Sequence, residues 1–187
     1  KIPTGEHSAT VTISREGGES VPVRIHAIRD DRWKDVKAFG ALAGSFAIAA
    51  EDATANIPAG DVRWERIPDY GRGESGVTVF PVTAPSVLPP ENAPHLEYPV
   101  LIPEEGEIRV DLLTSPSLNF QPDRGVRIAV SFDNDRPQVL DFFEGRQSQH
   151  DQHGSPPIRG WDEWVRNNSR TMTSMHSISK PGVHTLK

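Results

Sequence analysis

The chain has 187 residues, 35% of them apolar, and a net charge of −6, which is enough for one full domain with a buried core and part of another. Its Lys and Arg are scattered singly, so neither nucleic acid nor an anionic membrane is expected as a partner, because both are bound by clustered cations. Cysteine is absent, which excludes disulfides and thiolate chemistry, and no apolar run reaches the length of a bilayer-spanning helix.

The first five residues, Lys1-Ile2-Pro3-Thr4-Gly5, lack the basic and apolar sections of a signal peptide and read as a cleavage point or an arbitrary boundary. Ser8 to Ser14 and Ser20 to Ile28 then alternate apolar and polar side chains around Arg15-Glu16-Gly17-Gly18-Glu19, which predicts a β-hairpin with glycines supplying positive φ in its turn. A lone hairpin is only marginally stable in water, so residues 1–36 are expected to be a hairpin and linker closing a preceding β domain. The charged stretch Arg29 to Asp35 is the linker in this reading.

Residues 37–187 are expected to form the second domain. Short β-like runs recur at Phe46 to Ala50, Val77 to Val82, Leu96 to Ile102, Ile108 to Leu113, Val126 to Phe132 and Val139 to Phe143. Seventeen Pro and fifteen Gly separate the runs, which predicts an all-β fold, an antiparallel β-sandwich of jelly-roll type. Glu107 to Leu112 alternates strictly, giving one buried and one wet face. Asp133-Asn134-Asp135-Arg136 is a polar turn, and consecutive strands are expected to pair antiparallel. One short helix is predicted after Gly160, where Trp161, Trp164 and Val165 share a face and Asp162 and Glu163 occupy the first turn. Glu144 to Pro157 is polar and aperiodic and reads as a surface loop.

Candidate chemistry is sparse. Gly71-Arg72-Gly73-Glu74-Ser75-Gly76 has dinucleotide-loop spacing, but a strand follows it where a helix N-terminus is needed, so the glycines are read as shaping a tight turn. His150 and His153 flank Asp151 without a further ligand on a rigid frame, and no metal site is assigned. Glycoside hydrolysis needs two carboxyl groups facing each other about 5–10 Å apart. Glu104, Glu105, Glu107, Asp133, Asp135, Asp162 and Glu163 all have ordinary turn or capping roles, and their spacing nominates no pair. No nucleophile elbow is present, and Asn167-Asn168-Ser169 is a glycosylation pattern too short to decide anything. Trp64, Tyr70, Trp161 and Trp164 offer faces suited to stacking on a pyranose. Helical spacing assigns Trp161 and Trp164 to packing, while for Trp64 and Tyr70 packing and sugar binding both remain open.

Several stretches in order resemble the C-terminal region of glycoside hydrolase family 115, the xylan α-glucuronidases: Ile48 to Asp52, Trp64 to Ile67, Gly71 to Ser86, Ala93 to Tyr98, Ser115 to Phe120, Arg124 to Asp133, Pro137 to Val139 and Trp161 to Lys187. Together they cover most of the chain from Phe46 onward. The resemblance implies a carbohydrate-binding-module-like sandwich behind an upstream catalytic barrel, with no catalytic residue in this segment. The segment would support the structure or dimerisation of a parent enzyme that removes (4-O-methyl)glucuronic acid from glucuronoxylan. An autonomous xylan-binding module using Trp64 or Tyr70 is the alternative, and a catalytic segment is a third reading. Secretion, to the periplasm or outside the cell, is also implied. Related sandwiches hold calcium with two opening acids, but Ala49 stands at the first of these positions and leaves Glu51, so neither calcium nor any cofactor is assigned. The family pattern also continues beyond Lys187 into another strand, whose absence would leave an unpaired edge.

Overall fold

The computed structural model describes residues 3–40, 42–87, 89–119, 125–143 and 161–187. The expectations for the 144–157 loop, with His150 and His153, and for the Trp161 ring fall outside the described residues and side chains.

Strands β1 (Gly5–Ser14) and β2 (Ser20–Arg29) pair antiparallel from Gly5 opposite Arg29 to Ser14 opposite Ser20. Their turn closes through Gly18 N–H to Arg15 C=O at 3.0 Å, with Gly17 at φ 71°, a conformation that costs a side-chain-bearing residue more than glycine. The charged stretch read as a linker is an ordered 3-10 turn over Asp31–Trp33. Asp30 caps it by accepting from Arg32 N–H at 3.0 Å, and Asp31 accepts from Thr4 Oγ1 at 2.7 Å and Arg29 Nε at 2.8 Å. An Asp at a cap satisfies donors the short turn leaves open.

The rest is an all-β sandwich with one short helix. Strands β3 (Phe39–Gly40) and β4 (Ala55–Ile57) lie beside β7 (His95–Ile102), β3 parallel and β4 antiparallel to it. Between β4 and β7 in the chain, β5 (Arg63–Pro68) and β6 (Ser75–Phe80) form a hairpin. Next come β8 (Gly106–Thr114), β9 (Arg127–Val130) and β10 (Gln138–Asp141). Helix α1 (Trp161–Asn167), β11 (Arg170–Ile178) and β12 (Gly182–Leu186) complete the described chain. β8 pairs with β11 along its whole length, β9 with β10, and β12 with β7.

Two devices join these pairs. The Gln138 amide mimics a peptide: it donates to Met175 C=O and accepts from Met175 N–H at 3.2 Å, which ties β10 to β11. Beyond β9, residues 131–133 leave β10 and run along β12 instead. Ser131 and Lys187 exchange backbone hydrogen bonds of 3.0 and 2.9 Å, and Asp133 N–H donates to Thr185 C=O at 2.8 Å. Residues 127–133 therefore serve both β10 and β12, and the C-terminal end of β12, from Thr185 onward, is paired on both edges.

The buried side chains gather in two clusters, and the β8–β11 pair contributes to both. Val100, Ile102, Phe132 and Ile178 form one, with Ile48, Tyr98, Ile108, Val110 and Leu186 packed on it. Phe142, Phe143, Trp164 and Met172 form the other, with Leu112, Val126, Ile128 and Leu140 around it. The predicted alternation of β8 holds, since Ile108, Val110 and Leu112 are half-buried and Glu107, Arg109 and Asp111 exposed.

Three expectations need correction. The 46–50 run is not a strand; it leads into a 3-10 turn over Ala50–Asp52, whose two acids favour a turn over a ladder. Consecutive antiparallel pairing holds within β1–β2, β5–β6 and β9–β10, but β7 takes β12 and β8 takes β11 from far along the chain, and β3 is parallel. On the helix face Trp164 is buried, as predicted, while Val165 is exposed, because seven residues make only two turns and present a single anchor.

Candidate functional site

The space between the sheets forms an open cleft of about 2540 Å³, larger than the roughly 300–1,000 Å³ usual for a small-molecule pocket. Its lining joins inward side chains of the sandwich, among them Val100, Ile102, Val110 and Phe132, to turns and loops such as 71–76 and 115–117. Chemistry must therefore be sought in its polar corners.

At one corner, the Ala50–Asp52 turn meets β6 and β7. Ser75, buried at the start of β6, donates its hydroxyl to Glu51 Oε1 and accepts from Arg66 Nε at 2.7 Å. Tyr98 Oη donates to Ala50 C=O at 2.6 Å. The Ser75 hydroxyl, with help from the Glu51 backbone and the Arg66 charge, holds the Glu51 carboxyl below the ordinary carboxylate range. Burial, reinforced by Glu51 and Asp52, pushes the Tyr98 phenol up to about 12. Glu51 is thus a committed acceptor and Tyr98 a committed donor, and neither is poised to exchange a proton near neutrality.

Other acids are similarly engaged. Asp111 is held down by the Thr173 hydroxyl at 2.6 Å and then by Arg109 at 3.0 Å. Glu107 accepts from Ser177, and Glu97 meets His95 at 3.3 Å and Lys187 at 3.9 Å. For Asp133, burial acts upward, but Thr185 N–H at 2.8 Å and His184 outweigh it and the carboxyl is lowered. Among the described residues, no group of three His, Asp or Glu side chains is placed to hold a metal.

His184 is set between two acceptors, Asp133 Oδ2 at 2.7 Å from Nδ1 and Lys180 C=O at 2.9 Å from Nε2. Satisfying both requires both ring nitrogens to donate, which only the imidazolium does. Burial opposes that form, yet the Asp133 and Lys180 hydrogen bonds and the charges of Asp133 and Asp135 raise the His184 pKa overall. Buried His176 has the opposite setting. Its Nε2 lies 2.9 Å from Ser174 Oγ, the Gln138 amide lies 3.5 Å from Nδ1, and burial lowers its pKa.

A raised folded-state pKa means that the His184 contribution is fully present below the unfolded value near 6.5 and fades as pH climbs through the folded one. The stability difference between the native chain and His184→Gln is therefore expected to be largest on the acid side and to shrink toward alkaline pH. Urea titrations between about pH 5 and pH 9 read this directly. A difference that stays constant with pH contradicts the imidazolium assignment.

In the glycine-rich segment, residues 71–74 form the turn that joins β5 to β6, and Ser75 and Gly76 open β6. Gly71 C=O accepts from Asn168 Nδ2 at 3.0 Å and Arg72 Nη1 donates to Ser169 Oγ at 3.3 Å, so the turn is pinned to the end of α1. A strand follows it, as the sequence implied.

Residues 38–187 match the model of the glycosyl hydrolase family 115 C-terminal domain. The chain belongs to this family. No curated protein matches it. As a family 115 C-terminal domain, the sandwich is part of a larger parent glycoside hydrolase.

Within this family 115 domain the two aromatic candidates sit apart. Trp64 is half-buried near the start of β5, opposite Val79, and its indole N–H is taken by Pro94 C=O at 3.0 Å. Tyr70 lies beyond the other end of β5, 47% exposed, its ring against Gly76, where an added Cβ would come within 3.1 Å of Tyr70 Cδ1. Most of β5 lies between them, at about 3.3 Å per residue. Sequence reasoning missed the Glu51–Ser75–Arg66 network and the His184 and His176 settings. Their partners come from distant strands, and the ordering of Ser75 against Glu51 has no local signal.

Proposed function

We propose that residues 38–187 are a non-catalytic domain that supports the structure or dimerisation of a family 115 parent enzyme, the activity of that parent being removal of (4-O-methyl)glucuronic acid from glucuronoxylan. The observation that carries the reading is the direction of the acids. A glycosidase needs one carboxyl raised to serve as general acid beside a second that stays ionised. Here Glu51, Asp111 and Asp133, the acids of the cleft with resolved shifts, are all lowered by hydrogen bonds to neighbouring strands. Such carboxylates hold elements together and are poor proton donors at neutral pH. Secretion of the parent, to the periplasm or beyond, belongs to the same reading, because its polymeric substrate is found outside the cell.

The test is substitution in the full-length parent. Glu51→Gln, Asp111→Asn and Asp133→Asn are each expected to leave kcat on glucuronoxylan within about twofold of the native value. A catalytic carboxylate would instead cost on the order of a hundredfold or more. A loss of that size in any of the three, with the fold intact by circular dichroism, overturns the proposal.

A further inference from the structure

The register of the N-terminal hairpin sorts its side chains into two unlike faces. His7, Ala9, Val11 and Ile13 stand opposite Ala27, Ile25, Val23 and Val21. Apart from His7 and, at its open end, Arg29 opposite Gly5, that face is apolar. Its five large residues, Val11, Ile13, Val21, Val23 and Ile25, are between 40% and 62% exposed. The other face is mainly polar, with Glu6, Ser8, Thr10, Thr12, Arg24 and His26 beside Pro22 and Ile28. A continuous apolar face on a soluble chain marks an interaction surface, and a two-stranded sheet needs such a cover to persist.

We propose that β1 and β2 are two strands of a β-sandwich belonging to the parent polypeptide upstream of the family 115 domain, their apolar face packed on the opposing sheet of that sandwich. The choice of occupant rests on three observations. The family match begins at residue 38, so the hairpin is outside the C-terminal domain. Membership in the family places the chain within a larger parent, and a cover on the same polypeptide acts at about millimolar effective concentration, which a second copy does not reach in dilute solution. The hairpin is also built as a sheet margin: Pro22 has no N–H for a further strand, so β2 is an edge and the sheet extends on the β1 side. The ties from Thr4 and Arg29 to Asp31 fix the exit of the hairpin toward residue 38. The inference stands independently of whether the domain takes part in catalysis.

Hydrogen exchange compares the 187-residue chain with the full-length parent. Amides of residues 6–14 and 20–29 are expected to exchange at least about a hundredfold slower in the parent, where the face is covered. Within the parent, Val11→Asp and Val23→Asp are expected to abolish that protection, while Thr10→Asp and Thr12→Asp on the opposite face leave it in place. Equal protection in the isolated chain and the parent overturns the proposal. So does protection that rises with concentration of the isolated chain, which would assign the face to a second copy, and so does equal sensitivity to substitutions on both faces.

Discussion

Phe132→Ala is expected to lower the unfolding free energy by about 3–5 kcal/mol. Phe132 is 1% exposed and lies on the segment that leaves β10 for β12, bridging to Leu186. Its ring packs in the cluster of Val100, Ile102 and Ile178 and meets the edge of His176 at 5.1 Å. One side chain is therefore shared by both sheets, and its removal leaves a cavity that strands held in two ladders cannot collapse to fill. The same void would open a path for water to His176, whose neutral form depends on burial. Denaturant unfolding measures the loss, and a change below about 1 kcal/mol would mean that Phe132 does not join the sheets.

Trp164→Ala is expected to cost a similar amount, about 3–5 kcal/mol. Trp164 is the one described side chain that anchors α1, packed edge-on against Phe142 at 5.2 Å and tilted against Phe143 at 6.4 Å. Arg170 stands over the Trp164 ring at 4.4 Å and over Phe142 at 4.8 Å. Removing the indole thus takes a cation–π contact along with the apolar area. Trp164→Phe retains part of the area and is expected to recover most of the loss, which thermal unfolding of the two variants resolves. Against a total of about 5–15 kcal/mol for an ordinary domain, either alanine variant lies near the threshold of folding.

Much of the fold is legible in the sequence where alternation and turn chemistry agree. The hairpin of β1 and β2, the wet and dry faces of β8, and the polar turn after β9 all follow from side chains within a few residues of one another. β11 shows why the rest is hidden. Its buried row is Met172, Ser174, His176 and Ile178, whereas Met175 points outward, so half of the inward positions are polar and the apolar alternation breaks. The polar pair is accommodated because Ser174, His176 and Gln138 satisfy one another, a fact of tertiary structure. Pairings of β7 with β12 and β8 with β11 are likewise long-range and have no marker in either strand alone.

The site was less legible than the fold. The sequence offers Trp64 as an aromatic face suited to a sugar, and the Pro94 carbonyl that takes its indole N–H comes from 30 residues away. The acids posed the converse problem. Their spacing nominates no pair, and only their partners on other strands show that Glu51, Asp111 and Asp133 are held as carboxylates. Assignment to family 115 rests on the match over residues 38–187, and the supporting role proposed for the domain rests on the hydrogen bonds that hold these three acids as carboxylates.

The most direct test of that role is to incubate the purified 187-residue chain with aldouronic acids and glucuronoxylan and to measure free (4-O-methyl)glucuronic acid. No release above the enzyme-free control is the predicted result, because Glu51, Asp111 and Asp133 serve as acceptors between strands. Release that scales with chain concentration and disappears with Glu51→Gln would contradict the account.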